Sequence, residues 1–292
     1  MRKFFSITKA TAVELLDDPL SLLVSLSSAA LAVLAPTLHY HQFGECTRMA
    51  RDAGLSALFL GGAIICISGA VRSIRREFES KTSEMVLSRA VSRQSFLFAK
   101  FLGVVVSYLI FTLSISSLSI VMITGAKIGG DAAAKIGDIP KMHGVSFSIA
   151  VFAIILSPSI ASFMNNFLKS RFVLSANIIL CVLAMLGVFY KFDIQLISRL
   201  MPVIFTATLP ALFFSAVAGS ASVSLKSNAA TMCGVLSAVA FIPFIGSYYL
   251  PESLAKGGSL SWSYAMFAFV SIIPWVLAAL FIGAALMSRK EV

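Results

Sequence analysis

Residues 75–100 read RREFESKTSEMVLSRAVSRQSFLFAK. This is the one long charged segment in a chain otherwise made of apolar runs, so the fold is read outward from it. Arg75, Arg76, Lys81, Arg89, Arg93 and Lys100 are interleaved with Glu77, Glu79 and Glu84, the mixed-sign pattern of a solvated, partly helical segment lying under a bilayer. Thr82 can cap a helix start, Glu84 suits the positive end of that helix dipole, and Met85, Val86 and Leu87 follow as an apolar edge. A second helix is expected to begin at Ser92 and run into the next span through Phe96, Leu97 and Phe98.

Composition sets the solvent. Of 292 residues, 58% are hydrophobic and 12% charged, the mean hydropathy is +0.93, and a soluble domain carries about 25% charge. The chain reads as an integral membrane protein. The apolar runs are long and continuous, without the alternation of a β-barrel. A formal charge of +10 is accounted for by Lys and Arg on cytoplasmic loops and their attraction to anionic lipid, with no nucleic-acid partner needed. Cys46, Cys66, Cys181 and Cys233 have neither CxxC spacing nor a disulfide framework. The run after Pro19 is read as an uncleaved first span.

Since a span needs about 20 apolar residues, the predicted fold is an all-α polytopic transmembrane bundle of about eight spans. These cover residues 20–38, 54–71, 101–123, 145–163, 172–190, 203–223, 229–250 and 264–287. A short loop is expected at 39–53 and a polar loop with glycines at 124–144. Residues 1–18 form an N-terminal amphipathic interfacial helix, with Phe4, Phe5, Ala12, Leu15 and Leu16 on one face and Arg2, Lys3, Ser6, Glu14 and Asp17 on the other. Residues 19–292 form the transmembrane domain that carries the charged loop. Placing both termini and that loop in the cytoplasm puts 15 Lys and Arg inside and 8 outside, as the positive-inside rule asks.

Within the spans, Ala207, Ala211, Ser215 and Gly219 recur every four residues, giving a small face on which a neighbouring helix packs closely. Ser107, Ser114, Ser116, Ser117 and Ser119 suit bonds within their own helix or to a neighbour. Pro158, Pro210, Pro243 and Pro274 free backbone carbonyls. Asn165, Asn166 and Asn177 are placed at the bilayer surface. No GxxxxGK[ST] segment is present, so the chain cannot hydrolyse ATP through a P-loop of its own. No ionisable residue falls in the middle of a span, which argues against a proton- or sodium-driven carrier. His39, His41 and Cys46 lie close together but lack a fourth ligand for a tetrahedral metal site. No catalytic, cofactor or metal residues are assigned.

The loop also resembles a known family. Arg76, Glu77, Glu79, Thr82, Glu84, Leu87, Ser88, Val91, Ser92, Arg93, Phe96 and Lys100 stand in the order seen in the cytoplasmic loop of type-2 ATP-binding-cassette (ABC) exporter permeases. Lys81 stands where glycine is usual and Ala90 where proline is usual. Glu14 before the first span and the ending SRKEV are similar to that family as well. The resemblance implies a permease subunit in the bacterial cytoplasmic membrane that couples ATP hydrolysis, by a separate cytoplasmic ATPase subunit holding ATP and Mg, to export. It also implies a second permease copy or homologue as partner, and these loop residues as the coupling element. The family usually has six spans with a re-entrant pair, which stands as the alternative to eight. A secondary carrier or channel without an ATPase, and a non-transporting ABC-type scaffold, are the alternative functions.

Overall fold

The computed structural model describes residues 2–37, 46–79, 92–136, 142–191, 193–244 and 260–289. Every regular element among them is helical. In hydrocarbon no water satisfies the backbone, and a helix closes its hydrogen bonds within one segment. Among the described residues nine α-helices follow one another: α1 (Arg2–Leu16), α2 (Pro19–Leu34), α3 (Cys46–Glu79), α4 (Arg93–Ile136), α5 (Gly144–Leu168), α6 (Phe172–Val188), α7 (Ile194–Ser224), α8 (Ser227–Phe244) and α9 (Trp262–Arg289). Six of them, α2, α3, α4, α5, α7 and α9, are long and apolar enough to cross a membrane, whereas α6 and α8 are apolar but shorter. The eight spans expected from sequence thus separate into six of full length and two that fall short.

Two segments expected as loops are partly helical. α3 begins at Cys46, eight residues before the expected span, and α4 runs on to Ile136 through the glycines at 125, 129 and 130. Ion pairs lie along both extensions. Asp52 takes both Arg48, one turn away at 3.8 Å, and Arg51 at 3.2 Å. Lys127 of α4 pairs with Asp193 at 2.9 Å.

The chain divides into two compact units, Met1–Leu15 with Ala63–Tyr108 and Phe205–Val292, and Leu16–Gly62 with Leu109–Ile204. In the first, Ile74, Phe96, Leu97, Ala216, Val223, Leu280, Ala284 and Met287 form one buried cluster from α3, α4, α7 and α9. Leu209, Ala268 and Ile272 form another, ringed by Phe205, Phe213, Phe241 and Phe269. The buried Tyr108 hydroxyl of α4 donates to the Thr208 carbonyl of α7 at 3.1 Å. The small face of α7 lies inside this unit. Ala207, Ala211 and Ser215 are buried, and Gly219 rests against Ala70 and Ile74 of α3.

In the second unit α5 and α6 form a hairpin joined by residues 169–171. Lys169 closes α5 in the left-handed region at φ 50°, where a side chain costs about 1–2 kcal/mol and glycine is favoured. Asn165 and Asn166 are exposed, as expected for the surface, but Asn177 is buried at 4% exposure. Its amide donates to the Leu16 carbonyl at 2.9 Å and to the Ser21 hydroxyl at 3.0 Å, and Arg171 approaches Asp17 at 3.5 Å. The correction has a plain cause. The break between α1 and α2 leaves a carbonyl without a helical donor, and Asn177 supplies one.

Asn177→Leu should therefore destabilise the protein by about 1–3 kcal/mol, the cost of orphaning a buried acceptor. Lys169→Gly should stabilise it by up to about 1 kcal/mol through relief of the left-handed conformation. Both are read by unfolding of the purified protein in mixed micelles.

Candidate functional site

Apart from the helix ends, charge among the described residues is gathered where the charged segment leaves and re-enters the helices. α3 carries Arg75, Arg76, Glu77 and Glu79 out to its last turn, and α4 starts at Arg93. Ser92 caps α4. Its hydroxyl accepts the Ser95 N–H at 3.2 Å and donates to the Ser95 hydroxyl at 2.7 Å, satisfying a first-turn donor.

Below that cap, the Lys100 ammonium bonds the Glu77 carboxylate, so the outgoing and returning helices are tied by one ion pair. Lys100 is 2% exposed and Glu77 23%. The ammonium also stands 5.9 Å from the ring centroid of Phe96, one turn earlier, within cation–π reach. Phe96 itself belongs to the apolar cluster with Ile74, Val223 and Met287. The pair therefore caps an apolar floor, and a desolvated charge holds there only because it is paired.

A third element joins from the N-terminus. The Arg76 guanidinium donates to Glu14 of α1 at 2.8 Å, and Leu15 packs with Ala70 of α3 and Val104 of α4. Against α4 the seat is closer still. Thr8 Oγ1 lies 3.3 Å from the Ala99 carbonyl, and a β-carbon at Gly103 would come 2.6 Å from Thr11 Cβ and 3.0 Å from the Thr8 carbonyl. Only glycine permits that approach. The expected apolar face of α1, within which Thr8 falls, is kept at Thr8, Ala12, Leu15 and Leu16 and lost at Phe5. Thr8, Thr11, Ala12, Leu15 and Leu16 point inward, whereas Phe5 is 64% exposed. Threonines face in because Gly103 leaves room for them.

The expected loop residues thus divide. Arg76, Glu77, Phe96 and Lys100 form this neck with Glu14, and Ser92 caps the returning helix. Glu79 and Arg93 sit at the two helix termini. Thr82, Glu84, Leu87, Ser88 and Val91 lie outside the described residues. Sequence reasoning placed Glu14 and Gly103 in no site. The signals that mark them are an acidic residue near the end of the N-terminal helix and a glycine one turn after a lysine at the start of a span. Among the described residues no three His, Cys, Asp or Glu converge as metal ligands; His39 and His41 lie outside them.

Removing one member of the buried pair should cost more than removing both. Lys100→Met is expected to destabilise by about 3 kcal/mol, and the Glu77→Gln, Lys100→Met double variant by clearly less. Arg76→Gln, which breaks a pair whose arginine is 73% exposed, should cost under about 1 kcal/mol. Equilibrium unfolding of the three variants measures this order.

Comparison with known proteins adds the family. A family model described as ABC-2 family transporter protein matches residues 19–187, the stretch that holds α2 to α5, nearly all of α6 and both flanks of the charged loop. No curated protein and no solved structure matches the chain. With more than half of its 292 residues matched, and with helices of this length and apolarity around one charged neck, the chain belongs to the ABC-2 family of transporter membrane proteins.

Proposed function

We propose that this permease subunit couples ATP hydrolysis by a separate cytoplasmic ATPase subunit to export of a substrate across a bacterial inner membrane, working with a second permease copy or homologue. ATP and Mg belong to the partner ATPase, and this chain binds neither. The observation that carries the reading is the neck. Glu77 and Lys100 fasten α3 to α4, and Arg76 with Glu14 fastens α1 to α3. Force applied to residues 80–92 by a partner then reaches three helices together. Arg76, Glu77 and Lys100 transmit, while Glu79, Thr82, Glu84, Leu87, Ser88, Val91, Ser92 and Arg93 form the contact surface. Nucleotide can drive the helices only if the ATPase interacts differently with two arrangements of that surface.

The Lys and Arg bias supports cytoplasmic termini and a cytoplasmic loop. Two sets of contacts support a crossing by α6, one of the two short helices of the expected eight. One end of α6 meets Leu16 and Ser21 through Asn177. Beyond its other end, Asp193 meets Lys127, at the end of α4 remote from the charged loop. Seventeen residues of α-helix rise about 26 Å, and the 3-10 turn Phe189–Lys191 adds about 6 Å, enough for a hydrocarbon core of about 30 Å.

Glu84→Lys and Arg93→Glu should each leave membrane insertion unchanged and abolish transport-linked stimulation of the ATPase in proteoliposomes. Unchanged stimulation in both would overturn the coupling role. Deleting residues 2–17 should weaken co-purification of the ATPase; full retention would reduce α1 to an anchor.

A further inference from the structure

A groove of about 430 Å³ opens between α5 and α6 within the second unit, lined by Ile149, Phe152, Ala153, Leu156, Leu183, Leu186, Gly187 and Tyr190. Its depth comes from two small residues. Ala153 is buried, and at Gly187 a β-carbon would stand 3.1 Å from Ile149 and 3.2 Å from Val121, so the floor lies low there. The walls stand high, with Phe152 60%, Leu156 40%, Leu186 58% and Tyr190 45% exposed. From Leu183 to Tyr190 the groove follows the helix for about 10 Å.

Its upper end is polar. Tyr190 and Gly187 also line a small neighbouring cavity with Thr124 and Ser146, and Phe189 and Tyr190 are the exposed aromatic pair of an interfacial belt. One turn beyond Thr124, on the same face of α4, stands Lys127. Its ammonium gives one bond to Asp193 at 2.9 Å and is half exposed, so two of its three donors are unassigned. His143, whose Nδ1 is 3.4 Å from the Ser146 hydroxyl, sits at the same rim. Hydrogen bonds from Lys127 and from the Leu196 and Gln195 amides hold the Asp193 carboxyl below its usual range.

We propose that this groove is a discrete phospholipid site, with one acyl chain between α5 and α6 and the lipid phosphate on the Lys127 ammonium. Charge complementarity selects this occupant. A trough that is apolar along its length, with an ammonium beyond its polar end that is paired to Asp193 yet keeps spare donors, matches one chain and one phosphate of an amphiphile. A helix from a second copy would need the high walls to part. The proposal needs only that these helices cross a bilayer, so it stands apart from the coupling role.

The test uses full-length protein in nanodiscs containing phosphatidylcholine with a photoreactive diazirine in one acyl chain, with peptide-level mass spectrometry as readout. Labelling of Phe152 and Leu186 should exceed that of the equally exposed Phe267, Val270 and Trp275 of α9 by about fivefold, the ratio for about 1 kcal/mol of preference. Ala153→Phe should bring it down to the α9 level. Lys127→Gln, a change at an exposed position, should lower phospholipid labelling to that of a diacylglycerol carrying the same diazirine chain. Equal labelling of all exposed apolar positions would mean an ordinary lipid shell and overturn the site. So would indifference to Lys127→Gln, or a homodimeric disulfide through Phe152→Cys in intact membranes.

Discussion

A backbone in hydrocarbon must satisfy its own polar groups, and the rest of this structure follows from that constraint. Helices meet it without help, which is why the described regular structure is helical. The hydroxyls inside α4 obey it too. Ser107, Ser114, Ser116 and Ser119 each donate to a carbonyl three or four residues earlier in their own helix. What the constraint leaves over are the helix breaks and the charges, and there the specific chemistry collects.

At the break between α1 and α2, Asn177 reaches across from α6 to a carbonyl that no helical N–H serves. At the neck, Lys100 is carried into a buried position and must bring Glu77 with it. In both places a side chain from a distant part of the sequence completes what the local helix cannot. A buried polar group without its partner costs more than the bond itself contributes, so these contacts fix which helices meet. Apolar packing, tolerant of substitution among similar volumes, specifies this less sharply.

The neck also explains how a sparse set of charges can serve a permease. An exposed ion pair such as Arg76 with Glu14 contributes little stability, whereas a desolvated one holds two helix ends in register. Beneath it, Phe96, Ile74 and Met287 form a close-packed floor. Such packing does not deform gradually.

Much of this was legible in the sequence. The all-helical fold with long apolar spans follows from composition and spacing, because burial in lipid demands length and apolarity in the sequence itself. Arg76, Glu77, Phe96 and Lys100 were legible as a set, but not their division of labour, since which charge is buried depends on the neighbour it meets. The inward turn of Thr8 and Thr11 rests on Gly103, 92 residues beyond Thr11. The burial of Asn177 rests on a carbonyl 161 positions away. Local pattern reports the solvent a helix lives in, whereas the facing of its polar groups is set by partners that only the folded chain brings together.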